Sequence, residues 1–418
     1  MMSKREAKSK SPHPPFTKGG RGGIISDSGF TLVELLITMV VFVLVIAAAS
    51  GVFTGLLTQF KQQSKIAETN IEGIVGLEIL RQDIGHAGYG LPWNLNGAAY
   101  QEAVVEDKTP WVDRDFNDGP PTNPARGTDA GDPASNPPGA IRSGNGYALN
   151  GSDVLVIKAI NVATNFAAGK WQPIRAGTDS TMKTWWSQVN EYVCRNDRGD
   201  HYEATRVIVI SPGATAASRR SLVVSGGDFF TGADNYSVLT NFAAHAGDPE
   251  VRIMYGVDPD TDLRMPFNRA DYYIRRPTTN MPQRCAPNTA ILYKATVNHA
   301  DGLLNELPLL DCVADMQVAF RLDTDGNGSI DTTTNNIFYS TAQQIREQVK
   351  EVRVYILAHE GQKDVNYTYP NSTVTIPASP DPAAGLGSTF NLSTRIGTGW
   401  QNYRWKVYTI VVKLMNLG

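Results

Sequence analysis

Ser28-Gly29-Phe30-Thr31-Leu32-Val33-Glu34-Leu35-Leu36 opens the apolar run that decides the architecture of this 418-residue chain. From Phe30 to Leu57 the only non-apolar positions are Glu34, a few Thr and Ser, and Gly51 and Gly55. Its centre, Leu35 to Ala49, is fifteen residues with Thr38 the only polar side chain. With its flanks the run reaches about 20–25 residues, the length a helix needs to cross hydrocarbon. Upstream, residues 1–29 carry Lys4, Arg5, Lys8, Lys10, Lys18 and Arg21 against Glu6 and Asp27. Basic residues before the span predict a single pass with the N-terminus inside and the C-terminus outside. A secretory signal peptide fits less well: no Ala-x-Ala site followed by a polar start closes the run, and a signal peptide has no use for a carboxylate inside it.

Beyond the span, helical character continues from Thr58 to about Gly85. Ala67, Ile71, Ile74, Val75 and Ile79 recur at three-to-four-residue steps, while Lys61, Lys65, Glu68 and Glu72 take other faces. This predicts one long helix, its second half laid against a head domain along that apolar stripe. Gly51 and Gly55 form a G-x-x-x-G pair, readable as a helix-packing face or as a soft point where the helix bends. The glycines of Gly85-His-Ala-Gly-Tyr-Gly90 end the helix.

The remainder reads as a head of α+β class with one antiparallel sheet. From Leu91 to about residue 152, Gly, Pro, Asn, Asp and Ala dominate without periodicity, predicting a loop-rich insertion. Strand-like runs then follow at 153–160, 205–210, 221–225, 251–257, 271–275, 290–297, 350–358 and 403–414, several alternating apolar and polar. The expected organisation is a leader over 1–29, a helix over 30–90 with its span at about 32–57, and a head over 91–418. Charged residues are 19% of the chain and net charge is -3, which gives no footprint for nucleic acid.

Gly29, Phe30 and Glu34, with the apolar span behind them, resemble the N-terminal signal of type IV pilins and type II secretion pseudopilins. The resemblance implies that a prepilin peptidase cuts after Gly29 and methylates the amine of Phe30, leaving Glu34 as the fifth mature residue. A glutamate inside a membrane span costs a few kcal/mol unless it finds a partner. In a helical fibre that partner is the N-terminal amine of a neighbouring subunit, and pairing the two sets the axial register. Leu80-Arg-Gln-Asp-Ile-Gly-His-Ala-Gly-Tyr-Gly90, the stretch Leu309 to Asp331, Val349 to Leu357 and the closing Val-Val-Lys-Leu-Met-Asn-Leu resemble minor pilins of the PilW type. The likeness covers roughly 24–90 and 290–418 and leaves about 91–250 unmatched. It implies a structural subunit that helps initiate or cap a type IV pilus. Its expected partners are other pilins and minor pilins, the prepilin peptidase and the inner-membrane assembly platform, and its final place is the fibre at the cell surface. Two alternatives stand beside it: a type II secretion pseudopilin of the GspJ kind, and a membrane-tethered adhesin or ligand-binding module acting through 91–250.

Asp323, Asp325, Asn327, Gly328, Ser329, Ile330 and Asp331 follow the start of an EF-hand loop. Alternate oxygens, including the Ser329 carbonyl, converge on Ca2+ once a glycine permits the sharp turn. Thr334 stands where the loop's twelfth-position glutamate belongs, so affinity is expected to be weak, roughly 0.1–1 mM. The plainer reading is an Asp/Asn/Gly hairpin. Asp113 to Gly119 is a looser echo of the same pattern. The six histidines form no close-ligand pattern and no nucleophile, Walker or paired-cysteine motif occurs, so no enzyme is expected. Gly226-Gly227-Asp228-Phe229 resembles part of a diguanylate cyclase signature but reads as a turn. Cys194, Cys285 and Cys312 fall on the oxidising side. With 290–297 and 313–320 as antiparallel neighbours, Cys285 and Cys312 lie at opposite ends, which favours a Cys194–Cys285 disulfide.

Overall fold

The computed structural model describes residues 29–104, 116–118, 137–176, 182–184, 205–213, 219–233, 241–244 and 251–417. Helix α1 runs Leu32–Gly85, and among the described residues it is the one helix long and apolar enough to cross a membrane. The chain divides into two compact units, Met1–Phe60 and Lys61–Gly418. In the first, every side chain from Phe30 to Phe53 that is large and apolar is exposed, as a span awaiting a non-aqueous neighbour must be.

The second unit holds the end of α1 and, among the described residues, sixteen strands. The first eight are β1 (Ile141–Gly144), β2 (Val154–Ala159), β3 (Trp171–Ala176), β4 (Met182–Thr184), β5 (Arg206–Ser211), β6 (Ser221–Leu222), β7 (Thr231–Gly232) and β8 (Arg252–Asp258). The rest are β9 (Asn268–Arg275), β10 (Ala290–Val297), β11 (Leu304–Leu322), β12 (Thr332–Thr334), β13 (Val349–Glu360), β14 (Thr373–Ile376), β15 (Ser388–Asn391) and β16 (Arg404–Lys413). Short helices α2 (Ala342–Gln348) and α3 (Leu392–Arg395) interrupt them; Thr341 and Gln344 close a capping box on α2.

The class is α+β as expected, but the strands build three antiparallel sheets where one was expected. The main sheet runs β1-β2-β9-β10-β11-β13-β16 with β12 on β11, a second runs β4-β3-β8-β5-β6 with β7 on β5, and β14-β15 is a hairpin. Strand β1 also falls inside the stretch read as loop. β10 is buried at seven of its eight positions, because both faces of the main sheet are covered. On one face Leu77, Leu80 and Ile84 of α1 pack with Leu155, Ile157, Tyr272 and Leu292. On the other, Tyr273, Tyr293 and Ile291 meet Phe116 and Phe338, while Tyr355, Leu357 and Trp405 meet Ile376 and Phe390 from the β14–β15 region.

A buried ionic network ties the early loop residues to this sheet. Lys158 contacts Glu102 and Asp118 at 2.7 Å each, Arg142 contacts Asp118 at 2.6 Å, and Arg269 bridges Glu102 (2.9 Å) and Asp271 (2.8 Å). Three cations face three carboxylates, so no buried charge is left without a partner, the condition under which such a cluster is tolerated.

Candidate functional site

The start of α1 carries the residues expected to serve processing and assembly. Gly29 and Phe30 precede the helix and Thr31 caps it. The Glu34 N–H donates to the Thr31 hydroxyl at 3.2 Å, and Glu34 Oε2 accepts from the Thr31 N–H and hydroxyl at 3.1 Å each. This is a capping box, which satisfies N-terminal donors and places a carboxylate at the positive end of the helix dipole. The T-x-x-E spacing of this capping box is present in the sequence, beside the assembly role expected of Glu34. Glu34 is exposed, and its Oε1 accepts no hydrogen bond among the described residues. Around Gly29 no atom lies within 4 Å of where a side chain would begin, and the same holds for Gly51 and Gly55. Packing in the chain therefore asks for glycine at none of the three.

The head grips the far end of α1 through glycine and a buried ion pair. A side chain on Gly76 would overlap the Leu309 carbonyl oxygen, and one on Gly73 would sit 3.2 Å from Leu310. Asp83 receives Lys294 of β10 at 2.5 Å and the Tyr272 hydroxyl of β9. Burial raises the Asp83 pKa, and the Lys294 ammonium pulls against it. The expected packing stripe holds at Ile79, which packs against the core, and is corrected at Ile71, Ile74 and Val75, which are 64%, 65% and 58% exposed. β-Branched side chains would have held the helix off the strand, and the glycine face lets it approach.

The Asp323–Asp331 loop brings its carboxylates together. One oxygen from each of Asp323, Asp325 and Asp331 lies within 4.8 Å of the others. Asp323 is buried and accepts from the Asn327 and Gly328 N–H groups at 3.1 and 2.9 Å; Asp331 accepts from the Thr324 N–H at 2.8 Å and its hydroxyl at 2.9 Å. Gly326 and Gly328 supply the turn with φ of 73° and 87°. Asn327 spends its side-chain oxygen on the Ser329 N–H at 2.7 Å. Thr334 lies on β12 opposite Phe320, where an EF-hand would be entering a helix. Of the Asp113–Gly119 echo only 116–118 is described, and Asp118 belongs to the buried ionic network. Gly226 and Gly227 lie in a turn closed by Ser225 and Asp228, as read.

The expected disulfide is corrected. Cys285 bonds Cys312, with Cα atoms 4.8 Å apart, which excludes Cys194–Cys285; Cys194 lies outside the described residues. The reason is register. β11 begins at Leu304 rather than 313, so β10 pairs with its first half, Val297 opposite Leu304 and Ala290 opposite Val313. That brings both cysteines to the same end. His359 packs beside them, accepting the Ala286 N–H at 2.8 Å, and burial holds its pKa down at about 3. With both sulfurs bonded, this trio is no metal centre.

Residues 271–416 match the family model described as Type IV Pilus-assembly protein W, and residues 26–50 match the Prokaryotic N-terminal methylation motif. No curated protein matches the chain. A solved type IV-like pilin from Thermus thermophilus is similar at 15% identity over 36% of this chain and 69% of its own, with a TM-score of 0.21, too partial a superposition to argue from. The two matched models, with a long apolar N-terminal helix and an antiparallel head, support a minor pilin acting in type IV pilus assembly. Within that class the chain resembles PilW, and neither the pseudopilin nor the tethered-adhesin alternative is needed.

Proposed function

We propose that the chain is made as a prepilin whose residues 1–29 are removed by a prepilin peptidase, with methylation of Phe30. It waits in the inner membrane as a single pass, N-terminus inside and head outside, and the assembly platform moves it into the fibre with other minor pilins at initiation or at the tip. There Glu34 receives the amine of a neighbouring subunit. The observation that favours this reading is the start of α1, where Glu34 keeps one oxygen unengaged beside an apolar span with no covering side chains. Mass spectrometry of the fibre-associated chain should find methyl-Phe30 at its N-terminus. An intact Met1 or Met2 start in assembled fibres would overturn the reading.

A second, weaker site is part of the proposal. Asp323, Asp325 and Asp331, with the Asn327 side chain and the Ser329 carbonyl, take Ca2+, favoured by the convergence of three carboxylates on one turn. The cation would relieve their mutual repulsion and stiffen the β11–β12 hairpin.

A further inference from the structure

The main sheet ends on two very different edges. β1 is four residues long and buried throughout. β16 is ten residues, pairs one-to-one with β13 from Glu351–Lys413 to Glu360–Arg404, and has no bulge or proline to blunt it. Leu414 donates its N–H to the Lys350 carbonyl, so the next pair beyond that register is a hydrogen-bonded one. Counting back in twos, even-numbered residues of β16 face β13 and odd-numbered ones point their N–H and C=O outward. Those outward groups run from Trp405 to Lys413, and none has a partner among the described residues. Thr409 and Lys413 are exposed and Val411 is 43% exposed, so the C-terminal half of this edge is open, while Trp405 at its start is buried. Soluble proteins normally close such an edge.

We infer that β16 is a strand-addition site, and that its occupant is an extended strand from a different subunit of the same fibre, bearing carboxylates. Three observations choose this occupant. β16 carries Arg404, Lys406 and Lys413 and no acidic residue; Arg404 pairs with Asp364 at 2.9 Å and Lys406 with Glu360 at 2.7 Å, so the charge left for a partner is that of Lys413, and β16 of a second copy offers it no carboxylate. An acidic strand answers that charge, and Lys413 makes no ion pair among the described residues. The edge also lies against α1: Val412 stands 3.7 Å from a side-chain position on Gly85, and the Tyr408 hydroxyl 4.0 Å from one on Gly73. A subunit docked along α1 is thereby delivered to β16. The inference rests on the assembly reading above. Main-chain bonds would supply affinity and the alternate side chains the choice of partner.

The test uses the full chain in its own membrane. Thr409→Pro removes an outward N–H and leaves the β13 ladder untouched. Incorporation into fibres should fall about tenfold, the equivalent of one or two net hydrogen bonds, at an unchanged membrane level. A photo-crosslinking residue at Val411, in an otherwise native chain, should capture a carboxylate-bearing strand of another subunit in fibres and not in the membrane pool. Adducts only to helical segments, only to copies of this chain, or to no protein would overturn the inference even if Thr409→Pro fails to fold. So would normal incorporation of Thr409→Pro. Absence of the wild-type chain from fibres would overturn the assembly reading, and this inference with it.

Discussion

Lys294→Met tests how the head holds α1. Asp83 and Lys294 are 6% and 3% exposed, and Tyr272 is wholly buried. Removing the ammonium leaves the Asp83 carboxylate with the Tyr272 hydroxyl alone, and breaking a buried pair from one side costs about 3–5 kcal/mol. That cost depends on pH in a definite direction. Burial already raises the Asp83 pKa above its ordinary value, and losing Lys294 removes the opposing pull. With a raised folded pKa, the folded state holds a proton that the unfolded chain releases. Stability from this group is therefore full at low pH and lost as pH rises through the folded pKa. The defect in Lys294→Met should be largest at pH 8 and shrink by about 1.4 kcal/mol for each pH unit below the variant's Asp83 pKa. Asp83→Asn in the same chain should recover most of it at pH 8, since no charge is then stranded. Denaturant unfolding of the full chain in detergent micelles, at pH 5 and pH 8, reads the wild type and both variants. An equal loss at both pH values, or a double variant no better than Lys294→Met, would show that the stranded carboxylate is not the cause.

Three further outcomes follow from other parts of the chain. Thr31→Ala should fray the first turn of α1 by about 1 kcal/mol and lower fibre incorporation while cleavage after Gly29 continues, and Glu34→Ala should insert normally yet incorporate poorly; quantifying processed and assembled chain separates the steps. Burial pushes Asp153 up to about 7, with Asp315 adding to it, so its contribution of about 4 kcal/mol is present below pH 4 and lost as pH rises through 7; Asp153→Asn should flatten that part of the stability curve, and an unchanged curve would refute it. Calcium at ten times its Kd should stabilise the chain by about 1.4 kcal/mol, a melting shift of a few degrees that vanishes in Asp323→Ala and is not reproduced by magnesium; no shift in several millimolar calcium leaves the plain turn.

The parts legible in the sequence were those where residue identity and spacing act locally. Gly29, Phe30 and Glu34 mark the class within a single turn, and β10, β13 and β16 announced themselves by composition to within a residue or two. What escaped depended on partners distant in the chain. Pro308 and the polar Asn305 and Glu306 hid the first half of β11, and that one omission carried the disulfide with it, because cysteine pairing is read from register. The buried network joins Glu102, Asp118, Arg142, Lys158, Arg269 and Asp271, whose separations leave no motif. The helix stripe is the more instructive error. Ile71, Ile74 and Val75 were assigned to the head because large apolar side chains on a helix are normally buried. The head takes the Gly73 and Gly76 face and the Leu77, Leu80 and Ile84 side chains beyond it, and leaves Ile71, Ile74 and Val75 outside. Beside them, Leu307 to Leu310 line an apolar groove with Val75 and Ile79. A soluble monomer would gain by filling that groove with its own side chains. A subunit whose helix must still meet other helices gains by keeping it open, so the residues misassigned to the interior are the ones the assembly reading requires outside.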